Sequence, residues 1–222
     1  MEKRMDMQSA FEDSAKTAGK YLVFDTETTG LPINRFAPPD DFRNWPHVVQ
    51  IAWLLFDDEH RLIERGSFYL KQPVEIPADA VRIHGITTEM MLEQGLEPAY
   101  VYAIFNKAVD NAEYLIAHNV DFDIPILRCD FLRNGLLWDF PGSRLICTMK
   151  RGADFCKIPS LRRGKYKWPT LTELYRNCFG PGDPAGIVPD ETSIKSLHNA
   201  ETDAAMTARC FFRLRDLGFF KD

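Results

Sequence analysis

Tyr21-Leu-Val-Phe-Asp25-Thr-Glu27-Thr-Thr-Gly30 decides how the rest of the chain is read. Four apolar or aromatic residues read as a buried strand, and they run directly into two carboxylates one residue apart and then a Thr-Thr-Gly turn. Side chains at i and i+2 of a strand share a face, so Asp25 and Glu27 are expected side by side. Two carboxylates held together at the end of an apolar strand repel each other and resist desolvation unless a cation neutralises them. Oxygen ligands of this kind suit magnesium, manganese or calcium better than zinc. A bare Asp-x-Glu also reads as a polar strand end facing water, so the metal reading depends on further carboxylates elsewhere in the chain.

Around this stretch the chain reads as one α/β domain over residues 20–220, preceded by a polar tail or short helix over residues 1–19. Its 222 residues suffice for a single sizeable core, and 45% apolar with 27% charged residues is ordinary for a globular protein. No run approaches the length of about 18 apolar residues that a membrane span needs. The first residues lack the apolar core of a secretory signal, so a cytoplasmic protein is expected. The five cysteines are scattered and never paired as C-x-x-C, which reads as reduced thiols rather than a disulfide frame or a zinc site. A net charge of −5 argues against coating nucleic acid by bulk electrostatics, but not against gripping a few nucleotides locally.

After Gly30, the segment from Leu31 to His47 carries four prolines and reads as an excursion beside a site. Val48 to Phe56 and Arg61 to Lys71 read as strands joined by the short turn Asp57-Asp-Glu-His60, hence antiparallel neighbours. A helical turn is expected at Ala78 to Ile83. Thr87-Thr-Glu-Met carries a capping signal for a short helix, and Pro98 to Ala112 a helical period. Tyr114-Leu-Ile-Ala117 is a compact buried strand, followed by a helix through Arg133 that Gly135 ends. Arg144 to Thr148 is the fifth strand. A basic, proline-containing segment to Trp168, a helix from Thr170 to about Cys178, a Gly/Pro-rich loop from Gly180 to Pro189 and a helix from Ala200 to about Leu217 complete the chain. A three-strand meander followed by alternating strands and helices predicts a mixed five-stranded sheet. If the first and fourth strands are parallel neighbours, Asp25 and the 118–123 loop meet at their carboxyl ends.

Two further segments supply the missing carboxylates. His118-Asn-Val-Asp-Phe-Asp123 lies at a strand-to-helix junction, and His198-Asn-Ala-Glu-Thr-Asp203 puts a histidine at a helix start with an acid about one turn in. Either alone is unremarkable. Together, Asp25-Thr-Glu27-Thr-Thr-Gly30, His118-Asn-x-x-Phe-Asp123 and His198-x-x-x-x-Asp203 closely resemble the three exonuclease motifs of the DEDD superfamily, histidine subclass. That superfamily includes the proofreading subunit of bacterial replicative polymerase, ribonuclease T and oligoribonuclease. The resemblance runs from about Tyr21 to Leu217. Pro77-Ala-x-x-x-x-x-His84-Gly-Ile-Thr87 also resembles a segment of the polymerase-associated members.

The resemblance implies a ribonuclease H-like α/β fold and a 3′–5′ exonuclease. It implies that Asp25, Glu27, Asp123 and Asp203 hold two magnesium or manganese ions, Asp25 bridging them, with His198 as general base. Thr26, Thr28, Gly30, Leu31, His84, Asn119 and Phe122 are expected at the substrate, Leu31 and Phe122 as wedges or stacking surfaces for terminal bases, with core packing the alternative for Phe122. Asp121 is also acidic, but Asp123 follows the Phe as the motif requires, which leaves Asp121 as an outer or surface group. His118 reads equally as a site residue or as a histidine holding its loop.

The implied substrate is a nucleic acid 3′ end, single-stranded or frayed DNA before RNA. Lys150, Arg151, Lys157, Arg162, Arg163, Lys165 and Lys167, interleaved with Tyr166 and Trp168, read either as a single-strand channel or as a solvated loop. Two other readings stand beside this one. The chain could trim RNA within the same superfamily, or serve mainly as a binding module in a polymerase or repair complex, docking through residues 1–18 or the Leu31–His47 loop. A kinase or nucleotide-binding fold has no support, because no glycine-rich phosphate loop follows a strand.

Overall fold

The period-two alternation of the first strand, β1 (Tyr21–Thr28), sorts its side chains into two layers. Leu22 and Phe24 point into one apolar cluster, Tyr21 and Val23 into another on the opposite face. Burial on both faces is why the strand reads as a continuous apolar run rather than an alternating one. The structure is a computed structural model that describes residues 20–138, 144–161, 165–180 and 199–220.

β1 pairs antiparallel with β2 (Val48–Phe56), and β2 antiparallel with β3 (Leu62–Tyr69). On its other side β1 runs parallel to β4 (Tyr114–Ala117), which runs parallel to β5 (Leu145–Cys147). The order is β3-β2-β1-β4-β5, the mixed five-stranded sheet of ribonuclease H-like type that the sequence implied. Val23 lies opposite Ile116 in the parallel register, so two residues further both chains leave the pairing at Asp25 and His118. The first and second motifs are therefore neighbours at the carboxyl end of the sheet. The β1–β2 register shifts between Glu27 and Thr28, a local irregularity beside those acids.

Helices cover both faces. α1 (Ala78–His84) and α2 (Thr88–Gln94) pack as a small satellite around Met91 and Ile86. Thr87 caps α2 by accepting the Met90 amide at 3.2 Å, as the capping signal predicts. α3 (Pro98–Asp110) and α4 (Val120–Arg133) close the Leu22/Phe24 face with Tyr102, Phe105, Leu127 and Phe131. α6 (Leu171–Phe179) and α7 (Ala200–Asp216) close the other with Leu174, Tyr175, Met206 and Phe211. α6 opens on a complete capping box between Thr170 and Glu173.

One element was not foreseen. The basic, proline-containing segment after Thr148, to which the sequence assigned no element, begins with a helix, α5 (Thr148–Cys156). Its buried Gly152 allows close approach to α6, since a Cβ there would come within 2.8 Å of Leu174. All five cysteines are free thiols, and all but Cys156 are buried. Among the described residues no helix is long and apolar enough to cross a membrane. The 1–19 tail, Arg162, Arg163, the 181–189 part of the Gly/Pro-rich loop and His198 lie outside the described residues.

Candidate metal centre and cavity

The alternation that builds the core also distributes the acids. Asp25 and Glu27 continue the Tyr21/Val23 parity and face α7, whereas Thr26 continues the Leu22/Phe24 parity and faces α4. α7 contributes Asp203 from its first turn. The N-terminus of that helix is fixed from two sides. Asn199 accepts the Glu201 amide at 3.1 Å, and the buried side chain of Gln50 on β2 accepts the Ala200 amide at 3.3 Å. As a result, acceptor atoms of Asp25, Glu27 and Asp203 all lie within 4.8 Å of one another.

Asp123 lines the same cavity from α4, in the layer behind. It is 3% exposed, and Thr26 donates its hydroxyl to the Asp123 carboxylate at 2.7 Å. Asn119 starts α4 with left-handed backbone (φ 79°), a conformation asparagine tolerates, and so turns the chain from β4 into the helix within two residues.

The electrostatics match a site that wants a cation. Burial, followed by the charges of Asp123, Asp203 and Glu27, holds the Asp25 carboxyl well above the usual range. Burial and the neighbouring Asp203 and Asp123 push Glu27 up to about 8. Burial likewise pushes Asp123 up to about 7 against the opposing hydrogen bond from Thr26. Three carboxylate donors within 4.8 Å and a fourth hydrogen-bonded behind them fit a hard divalent cation, which would offset the burial cost and the repulsion that raise these values.

A cavity of about 730 Å³ opens over these acids. Thr26, Thr28, Gly30, Leu31, His84, Asn119 and Phe122, the residues expected at substrate, all contribute to its wall. His84 accepts the Ile86 amide at Nδ1 (3.1 Å), so Nε2–H donates to the Thr28 carbonyl (3.2 Å), locking α1 to the end of β1. The Thr28 hydroxyl donates to the Gly30 carbonyl at 2.7 Å and shapes the turn after the acids. Phe122 is half-buried against the main core, as the packing alternative expected, and also lines the cavity.

His118 is tied on both nitrogens. Nε2 lies 3.1 Å from the Pro169 carbonyl and so carries the proton, leaving Nδ1 to accept from the Thr148 hydroxyl at 3.0 Å. Burial lowers its pKa to about 4, so it is a neutral strut between β4, α5 and the segment before α6. Asp121 faces solvent and pairs with Lys150 at 2.5 Å, as a surface group should. Of the basic run, Lys150 and Lys167 are engaged in ion pairs, Lys167 with Glu173 at 2.7 Å, and Trp168 lines the cavity.

Sequence reading missed two contributors. α5 brings Met149 to the cavity wall and the buried Thr148 to His118, and the spacing of Met149, Ala153 and Cys156 was a usable helical signal. The other is Asp130 on α4, fully buried, which accepts from Tyr102 (2.6 Å), Gln72 (2.8 Å) and Arg133 (2.8 Å). Arg133 in turn donates to the carbonyls of Phe42 and Pro46, pinning the 31–47 loop to α4. Nothing in the sequence around Asp130 marks it off from a solvated helix face.

Residues 22–211 match the family described as Exonuclease (RNase_T). The chain belongs to the exonuclease family. Similar members include a DNA polymerase III subunit epsilon-like protein of Rhodobacter capsulatus, 34% identical over 60% of this chain and 18% of that protein. The DNA polymerase III subunit epsilon of Buchnera aphidicola is 30% identical over 50% of this chain and 45% of its own length. This exonuclease-family chain thus spans less than half of the relatives it matches here. Among solved structures, E. coli Exonuclease I in complex with a dT13 oligonucleotide superposes with a TM-score of 0.64 over 89% of this chain and 42% of that one, at 20% identity. That likeness establishes a common fold.

Proposed function

We propose that the chain is a divalent-cation-dependent 3′–5′ exonuclease that removes nucleoside monophosphates from the 3′ end of single-stranded or frayed DNA. The observation that carries this reading is the meeting of Asp25, Glu27 and Asp203 within 4.8 Å at the floor of a cavity large enough for the end of a strand. Three carboxyl side chains at such range, two of them from one strand, are hard to account for as solvated surface.

Asp25, Glu27, Asp123 and Asp203 would hold two magnesium or manganese ions. Bound there, the ions would lower the pKa of the attacking water and neutralise charge on the phosphoryl and leaving oxygens. The chain's own residues do the rest. Thr26 keeps the Asp123 carboxylate oriented and favours its ionised form. Neutral His118 holds the cavity wall without adding a positive charge that would compete for the acids. Leu31, Phe122 and Trp168 offer apolar and aromatic surface to the terminal bases. His198, five residues before Asp203, would accept the proton of the attacking water, the general-base role that an imidazole side chain can fill.

The names of the relatives and the oligonucleotide in the Exonuclease I complex support DNA over RNA as substrate. The epsilon relatives also support a polymerase as partner. Incubating the protein and its Asp25→Ala variant with end-labelled DNA and matched RNA, single- and double-stranded, tests the reading. Stepwise 3′ shortening of single-stranded DNA is expected with magnesium or manganese, abolished by a chelator and by the substitution. Equal shortening by protein and variant would refute it, and faster turnover of RNA would redirect it to the exoribonucleases of the same superfamily.

A further inference from the structure

The loop that follows the acids is more ordered than its four prolines suggest. Its neck is closed by the Thr29 amide donating to the His47 carbonyl (2.9 Å) and the His47 amide donating to the Thr29 hydroxyl (3.0 Å). Further out, Asn34 and Asn44 bond reciprocally. The Asn34 amide donates to the Asn44 side-chain oxygen at 2.6 Å, and the Asn44 side-chain amide donates to the Asn34 carbonyl at 2.9 Å. Trp45 is buried and donates to the Pro38 carbonyl, Ala37 rests on the main core, and Arg133 grips the return limb.

A loop fixed at this many points has little freedom to tuck its side chains away. Ile33 and Phe36 are nevertheless 85% and 79% exposed. Single exposed apolar residues are common, but two within four positions on a rigid loop are costly unless something covers them. Two features point to the occupant. Leu31, two residues before Ile33, belongs to the cavity wall, so the apolar surface is continuous in the chain with the place where a terminal nucleotide would sit. The Arg35 guanidinium lies 4.6 Å from the Phe36 ring centroid, leaving an aromatic face and a cation together. Bases stack on such faces, and phosphates meet such cations.

We propose that Ile33, Arg35 and Phe36 form a platform for the nucleotides next to the terminal one, so that the loop captures an unpaired single-stranded tail. The proposal rests on the exonuclease reading and extends it to the path of the strand outside the cavity. Unstacked bases can lie on the platform, whereas bases locked in a duplex cannot present their faces to it. Because Asp40 and Asp41 offset Arg35 and Arg43 within the loop, stacking rather than net charge carries the contact, and the platform adds little salt dependence.

The test is fluorescence anisotropy with labelled thymidylate oligomers of two, four and eight nucleotides. Calcium replaces magnesium, and gels of the same samples verify that the strands stay intact. The parent protein should bind the octamer far more tightly than the dimer. Phe36→Ala should cut the dimer-to-octamer ratio of Kd by about tenfold, the scale of one lost stacked base, and Ile33→Ser, which removes only an apolar contact, should cut it by less, both on exposed side chains and with an unchanged Tm. A ratio unaltered by both substitutions, or no length dependence in the parent, overturns the proposal and leaves the loop to a protein partner. A ratio that responds in a parent protein showing no Asp25-dependent shortening would sink the exonuclease reading and keep the single-strand platform.

Discussion

Replacing Glu27 with glutamine should stabilise the protein in the presence of a chelator, and the gain should grow with pH. Glu27 is 8% exposed and faces Asp203 and Asp25 at close range. In the unfolded chain it ionises at its ordinary value, but in the folded chain burial and its acidic neighbours move that value from 4.5 to about 8. Between those two values the folded state keeps a proton that the unfolded state has released, so stability falls as pH rises. The displacement corresponds to roughly 4–5 kcal/mol when Glu27 is fully ionised. Against the uncharged glutamine, the wild-type deficit is then under about 1 kcal/mol at pH 5 and roughly 4 kcal/mol at pH 8. For a chain of this length that is a Tm difference on the order of 10 °C at the upper end. Thermal unfolding of both proteins in EDTA from pH 5 to 8 measures it, and repeating the series with magnesium or manganese should flatten the wild-type slope. Parallel slopes for wild type and Glu27→Gln in EDTA, or a slope that neither cation changes, would refute the argument that these acids are held together at electrostatic cost.

Three further outcomes follow from particular contacts. Thr26→Val removes the hydroxyl bound to Asp123 at 2.7 Å. A hydrogen bond to a charged group contributes about 1.5–3 kcal/mol, so kcat should fall at least tenfold while Thr26→Ser retains most activity, and equal rates for the two would argue that the bond is idle. Arg133→Met strands the buried Asp130 charge and should cost about 3–5 kcal/mol in urea unfolding. Adding Asp130→Asn should recover part of it, and strict additivity would show that the pair is not coupled. Gly66→Ala would bring a Cβ within 2.3 Å of the Trp53 ring. Overpacking of about 1–3 kcal/mol and an altered tryptophan near-UV signal should result, whereas an unchanged Tm would mean the ring moves freely.

The chain order of the elements was legible because each carries its signal within a few residues. Val48–Phe56 and Tyr114–Ala117 are apolar runs bounded by turns, and both strands have the limits that the sequence suggests. α5 was hidden because its charged residues and the prolines after it resemble a loop, and its helix is secured by packing Gly152 against Leu174 on α6. The Asp130 network was hidden for a related reason. Its partners Gln72 and Tyr102 stand 58 and 28 residues away, and an isolated Asp on a helix looks the same whether it faces water or a tyrosine.

For the candidate site the division is sharp. Strand parity, a property of consecutive residues, was enough to put Asp25 and Glu27 on one face. That Asp203 joins them while Asp123 stands behind, held by the intervening Thr26, depended on α7 and α4 packing against opposite faces of β1. Local periodicity is written in neighbours a few positions apart, whereas the meeting of four acids is set by how whole helices bury their apolar stripes against a sheet, which no short stretch of sequence contains.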